Sequence, residues 1–257
     1  MKFQTPEKKL IKKISSLKHK KYRQLYGLFL VEGEKLCEEL IMSRYLIHSL
    51  FISEGFHVKE PAIIEFTEKK PKNVFTLSEK DLKKISDTRT PQGIAATAFI
   101  IDDNPLLNKP FIVLDEISDP GNAGTIIRTA DWFGYSQVFM GEGCADIYNP
   151  KTIRSTMGSL FNMKIIQKGD IRLFMKQHFA DAVLYVSSLD GAIDINEINV
   201  PDKLFGIVFG NESRGVSKEL IDAADVKFKI KGQGQAESLN VAVAAGISLN
   251  YFAKFLD

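Results

Sequence analysis

Five polar side chains on three glycine-bearing loops could do chemistry in this chain: Asn122 and Arg128, Glu212, and Ser238 and Asn240. The first loop, Leu114-Asp-Glu-Ile-Ser-Asp-Pro-Gly-Asn-Ala-Gly-Thr-Ile-Ile-Arg128, leaves an apolar run and enters a helix. Pro120-Gly121 makes the turn, and Asn122 falls near the helix N-terminus, where free backbone N–H groups attract anions. The second, Val208-Phe-Gly-Asn-Glu-Ser-Arg-Gly215, ends an apolar strand in Gly210 and sets the Glu212 carboxylate at that strand's carboxyl end. The third, Ile230-Lys-Gly-Gln-Gly-Gln-Ala-Glu-Ser-Leu-Asn240, holds Gly232 and Gly234 in a flexible stretch. Here Ser238 can cap the following helix, with Asn240 two residues inside it. Amides, a guanidinium, a carboxylate and a hydroxyl can together orient a polar substrate, grip a phosphate and take up a proton. Taken singly, each loop also fits a capped helix, a plain β-to-α turn or tight helix–sheet packing.

The elements that must position these loops are readable from periodicity. In the first hundred residues, Leu10, Ile14 and Leu17 make one apolar stripe on a basic helix. Strands are predicted at 28–31, 49–52, 74–75 and 94–101, with a helix over 34–42 and another starting after Ser78. Residues 102–110, rich in Pro, Asn and Asp, have the composition of a linker. A boundary there divides the chain into 1–105 and 106–257. Beyond it, strands are predicted at 111–114, 138–140, 163–166, 183–186, 204–209 and 226–230. Helices are predicted over 123–133 and from Ser238 to the end. The alternation implies an α/β fold: a small N-terminal unit and a C-terminal unit built on a mostly parallel sheet. In such sheets ligands gather beyond the carboxyl ends of the strands. No internal repeat or low-complexity tract occurs.

Charge is distributed unevenly. The chain carries a net +2, but residues 1–24 hold nine Lys or Arg against one acid, a net of +8, leaving −6 on the rest. A basic arm on a mildly acidic body suits a polyanion partner or, equally, a solvated helix face. Cys37, Cys144 and four scattered His form no metal-spacing motif, so no metal is expected. No apolar run approaches the ~18 residues of a membrane span, and the Lys-rich N-terminus lacks a secretory apolar segment. A cytoplasmic protein off the membrane is expected. Neither a dinucleotide-binding G-x-G-x-x-G nor a phosphate loop G-x-x-x-x-G-K-[ST] is present.

Together and in this order, Asn122-x-Gly-x-x-x-Arg128, Gly210-Asn-Glu-x-x-Gly215 and Ser238-Leu-Asn240 resemble the three motifs of the SpoU/TrmH family of RNA methyltransferases. The resemblance covers about residues 111–257. Phe29-Leu-Val-Glu-Gly33 and Pro91-Gln-Gly-Ile94 resemble, more loosely, the RNA-binding domain that precedes it. The resemblance implies a SPOUT-type methyltransferase domain with a C-terminal trefoil knot, and a homodimer whose interface the Ala-rich last helix either forms or leaves to the core. It implies S-adenosyl-L-methionine as cofactor, held by Gly210, Ile230, Gly234 and Leu239, with Ser187 and Ser188 lining the pocket. The implied reaction is methylation of a ribose 2′-hydroxyl in RNA, most naturally rRNA. A tRNA substrate, or a non-catalytic dimeric RNA-binding protein, are the alternatives. Arg128 is the family's central catalytic position. A guanidinium stays charged, so gripping a phosphate and stabilising a developing alkoxide suit it better than acting as base. Asn122, Ser238 and Asn240 would orient the ribose, and Glu212 is an alternative proton acceptor. Family members often carry Ile-Pro-Met before the glycine of the third motif; here Ile230-Lys-Gly-Gln-Gly234 makes that loop more polar.

Overall fold

Apolar runs too short for helices become strands here, and the amphipathic stretches between them cover the resulting sheets. A computed structural model describes residues 3–256. It divides into two units: one runs to Ile101 and takes in Tyr148–Phe161, and the other comprises Asp102–Ile147 and resumes at Asn162.

The first unit opens with α1 (Lys8–Ser16) and α2 (Lys20–Tyr26), followed by β1 (Leu28–Glu32), α3 (Glu34–Met42), β2 (Ile47–Ser53), α4 (Pro61–Lys69), β3 (Val74–Leu77), α5 (Glu79–Ile85) and β4 (Ile94–Phe99). Its sheet runs β1-β4-β2-β3, with β4 antiparallel to both neighbours and β2 parallel to β3. The stripe expected on α1 is buried: Ile14 and Leu17 pack with Leu28, Leu30, Phe51, Leu82 and Ile85. Ser78 caps α5 by accepting the Asp81 N–H at 3.2 Å. Arg23, one of the nine basic residues in 1–24, is buried rather than facing a partner or solvent. Its guanidinium donates to the carbonyls of Leu17 (2.7 Å) and Lys18 (2.9 Å) at the end of α1, where a cation complements the helix dipole.

The second unit begins with β5 (Phe111–Leu114), α6 (Pro120–Trp132) and β6 (Gln137–Met140). The chain then makes α7 (Pro150–Thr156) and α8 (Ser159–Asn162). Residues 148–161, assigned from sequence to the second unit, pack with the first. Tyr148 packs on Phe29 with tilted rings (4.7 Å between centroids), and Arg154 pairs with Asp87 at 2.8 Å. These are long-range contacts that no local pattern encodes. The second unit continues with β7 (Lys164–Gln167), α9 (Ile171–His178), β8 (Val183–Ser187), β9 (Ile193–Asp194), β10 (Phe205–Phe209), α10 (Lys218–Asp222), β11 (Val226–Lys229) and α11 (Val241–Phe252).

These strands form a seven-stranded sheet, β7-β6-β5-β10-β8-β11-β9, parallel at every pairing. Phe111, Val113, Phe139, Val186 and Val208 face α9 and α10, meeting Phe174, Met175 and Leu220. On the opposite face, Phe252 of α11 packs on Tyr185, Phe205 and Phe228. The order reverses between β5 and β10: β6 and β7 extend one way, and β8, β11 and β9 the other. That is the switch point at which α/β sheets open a crevice.

Pairing β5 with β10 has a steric condition. Gly206 lies beside Phe111, and a Cβ there would sit 2.0 Å from its ring. Because the ring is held in the core, Gly206→Ala is expected to destabilise the protein by ~1–3 kcal/mol in urea unfolding. A variant as stable as the parent would mean that the ring moves aside freely.

Candidate active site

The loops after β5 and β10 meet at this switch point and are stitched together. The Asp115 N–H donates to Phe209 O (2.9 Å), and the Asp115 carboxylate accepts the Ser217 N–H (2.7 Å). Glu116 adopts the left-handed conformation, φ 55°, which costs a non-glycine residue energy. It is held there from two sides: the Asn211 amide donates to its carbonyl at 3.0 Å, and its carboxylate pairs with Arg214 at 2.5 Å. The Asn211 side chain also accepts the N–H groups of Ser213 and Arg214, folding the second loop into a tight turn. Gly210 must be glycine for that turn, since a Cβ would fall 2.3 Å from the backbone of Gly215 and Val216.

Across this frame runs a chain of side chains from all three loops. The Asn122 amide donates to Glu212 at 2.6 Å, and the Asn240 amide donates to the Asn122 carbonyl oxygen at 3.2 Å. Three of the five residues singled out from sequence therefore touch in series. Two helix starts fix this geometry, and both differ from expectation. α6 begins at Pro120, three residues before the predicted start, with Asp119 as its cap accepting the Asn122 N–H at 2.9 Å. Proline is well suited to that first position because its missing N–H is not needed there. α11 is capped by Asn240 rather than Ser238: the Asn240 oxygen accepts the Ala242 and Val243 N–H groups at 2.9 and 3.4 Å. Asparagine caps at least as well as serine, and here its amide is left free to reach Asn122.

Ser238 and Arg128 stay outside the chain. Ser238 is exposed within a loop in which, among the described residues, no hydrogen bond or ion pair ties down any residue from Lys231 to Leu239. Arg128 lies on an exposed stripe of α6 with Thr125 and Trp132 and, among the described residues, makes no hydrogen bond or ion pair. The remaining positions expected at the site fall at the carboxyl ends of neighbouring strands. Gly210 follows β10, Ser187 ends β8 and Ile230 follows β11. Gly234 and Leu239 are exposed in the free loop, and a Cβ on Gly232 or Gly234 would meet nothing within 4 Å. Such a shelf, with unengaged backbone N–H and C=O groups beside a side-chain-free strand end, fits a flat ligand rich in hydrogen-bonding edges, as the adenosine of S-adenosylmethionine is.

Asp115, Glu116, Asp119, Asn211 and Arg214 were not anticipated, although Asp119-Pro120 is a recognisable helix start and Asp115-Glu116 directly follows a buried strand. Cys144, also near these loops, donates to Leu114 O at 3.2 Å, and burial pushes its thiol up to about 11. It stays protonated at neutral pH and is no nucleophile. Among the described residues, no group of three His, Cys, Asp or Glu side chains could hold a metal ion, and no helix is long and apolar enough to cross a membrane.

The SpoU rRNA Methylase family model matches residues 109–250, more than half of the chain. The chain belongs to this family. An MRM3-like substrate binding domain also matches residues 8–96. The 23S rRNA (guanosine(2553)-2′-O)-methyltransferase RlmP of Bacillus subtilis is 33% identical over 238 residues, covering 92% of this chain and 93% of that protein. The mitochondrial rRNA methyltransferase 3 of Xenopus laevis is 32% identical over 64% of this chain and 41% of its own length. The AdoMet-bound rRNA methyltransferase from Sinorhizobium meliloti is 27% identical and superposes with a TM-score of 0.86, covering 100% of this chain and 98% of that one.

Asn240 does two jobs in this SpoU site, which substitutions can separate. Asn240→Ala is expected to lose about 1 kcal/mol of stability with the cap. Asn240→Asp keeps the capping oxygen and should retain most of it, while losing the donor to Asn122. Equal losses in urea unfolding of the two variants would show that the Asn122 bond, not the cap, carries the stability.

Proposed function

We propose that this protein transfers a methyl group from S-adenosylmethionine to a ribose 2′-hydroxyl of ribosomal RNA. The observation that carries the reading is the Glu212–Asn122–Asn240 chain, which joins the three family motifs at the sheet's switch point beside the untied loop 231–239. The ribosomal substrate rests on what the relatives are named for and on the substrate-binding domain matched in residues 8–96.

Gly210, Ile230, Gly234 and Leu239 would hold the cofactor through backbone groups, with Ser187 at the neighbouring strand end. When bound, the cofactor supplies an electrophilic methyl on a sulfonium. The protein's own part is alignment and proton handling. Asn122, clamped between Glu212 and Asn240, is fixed in rotamer and can present its amide to a ribose hydroxyl. Glu212 is exposed, with only one oxygen engaged by Asn122, which leaves the other to accept the 2′-hydroxyl proton. Arg128, free on α6, suits a phosphate next to the target ribose and offsets charge developing on the oxygen. Ser238, in the free loop, would reach the ribose only when that loop closes on its ligands.

The same reading makes the protein a homodimer with a trefoil knot in its C-terminal half. Trp132 is 84% exposed, and Leu239, Val243 and Ile247 expose a further apolar line at four-residue spacing next to and along α11, which packs against α6. A second copy covering this surface would remove it from water and cap the cofactor loop at Leu239. A protein acting on ribosomal RNA works where ribosomes are assembled, so its compartment is the cytoplasm.

Calorimetric titration should show one S-adenosylmethionine site per chain. Mapping of 2′-O-methyl groups should reveal one rRNA nucleotide that loses its methyl when the gene is deleted and regains it on complementation. Arg128→Ala should bind the cofactor normally yet lower kcat by about 10²–10³. A complete rRNA methylation pattern in the deletion strain would refute the proposal.

A further inference from the structure

The first unit carries an aromatic and cationic cluster that the methyl-transfer site does not use. Strand β2 bulges at His48: Ile47 pairs with Ala98 and Ser49 with Thr97, so His48 is the extra residue. A bulge twists a strand and re-aims a side chain, often beside a functional surface. The His48 ring meets Phe99 edge-on, 5.6 Å between centroids, and Phe99 is 39% exposed although it belongs to β4. The hydroxyls of Ser49 and Thr97 lie 2.8 and 3.3 Å from His48 Nδ1 and fix the ring, while Nε2 has no partner among the described residues. Burial, and then the positive charge of Lys13, hold the imidazole below its ordinary pKa, so it is neutral at physiological pH. Lys13 also sits 4.9 Å over the Tyr26 ring, and Tyr26 stacks on Tyr22 at 6.2 Å and 17°. Leu46, whose carbonyl accepts the Phe99 N–H, is 60% exposed beside them.

Two aromatic pairs thus flank one lysine: Tyr26, stacked on Tyr22, lies under the Lys13 amine, and His48, packed on Phe99, feels its charge, while Lys8, Lys9, Lys12, Lys20 and Lys21 of the same arm are exposed. Tyr26 rests partly on the core of this unit, whereas Phe99 and Leu46 stay exposed beside the lysines, so apolar and cationic groups share one surface. We propose that Tyr22, Tyr26, His48 and Phe99 form a stacking platform for unpaired bases of the RNA substrate, with the surrounding lysines gripping the flanking phosphates. The inference rests on the RNA-methyltransferase reading and adds to it the form of RNA taken: a single-stranded segment, because bases within a duplex are stacked on each other and cannot offer their faces.

The test uses the full chain and fluorescence anisotropy with a labelled oligo-uridylate of about 12 nucleotides, a length suited to a single-strand site. A duplex of matched length serves as competitor. Tyr26→Leu and Phe99→Leu keep apolar bulk and remove the ring, so the fold should survive, as unchanged melting and unchanged S-adenosylmethionine affinity would confirm. Each is expected to weaken oligo-uridylate binding about 5- to 10-fold without altering its salt dependence. Lys13→Gln should instead lower the slope of log affinity against log salt by roughly 0.7. Ring variants that bind the oligonucleotide as the parent does, or a parent that prefers the duplex, would overturn the platform while leaving methyl transfer standing. A parent with no affinity for S-adenosylmethionine or any RNA would overturn the methyltransferase reading and the platform with it.

Discussion

The site depends on one parallel pairing, β5 beside β10. The two strands are far apart in sequence, and their ends bring Leu114 level with Phe209. Only this register lets the loops that follow meet, so that Asp115 can tie to Phe209 and Ser217 and the Asn122 amide can reach Glu212. Gly206 makes the register possible by leaving room for the Phe111 ring. The polar chemistry at the strand ends thus rests on an apolar packing decision three to four residues upstream, where there is no chemistry at all.

From that pairing the site takes two contrasting halves. The loops after β5 and β10 are rigid: they carry Glu116 in a costly backbone conformation and hold it with Asn211 and Arg214. The loop after β11 is the reverse, exposed from Lys231 to Asn240 and tied at its far end by the Asn240 cap. In the proposed reaction, groups that align a reacting atom and a strap that admits a ligand would meet different requirements. Preorganisation serves the first, and low local stability serves the second.

Much of this was legible in sequence because it is local. The apolar runs at 111–114 and 204–209 read as strands, and Ser78 as a cap, because period and end chemistry are short-range properties. The helix starts at Asp119 and Asn240 were misplaced by a few residues, because Asp, Ser and Asn can all cap and only the tertiary contact decides which one does. The Asn122–Asn240 bond spans 118 residues, and the packing of 148–161 against the first unit is also long-range; neither leaves a periodic trace. Arg23 shows the same limit in reverse: its sequence context is that of a surface cation, yet it is buried against two carbonyls.

That buried arginine changes what kind of object the N-terminal basic segment is. A lysine-rich tail would ordinarily be a disordered tether that loses conformational freedom each time it captures a polyanion. Here Arg23 locks α2 onto the end of α1, and Ile14 and Leu17 lock α1 into the core, so the ordering is completed during folding. The lysines are thereby presented at fixed spacing, like teeth on a comb. If these lysines grip the phosphates of an RNA substrate, as proposed, the backbone ordering cost is already met in folding, and a phosphate backbone of matching curvature would be favoured.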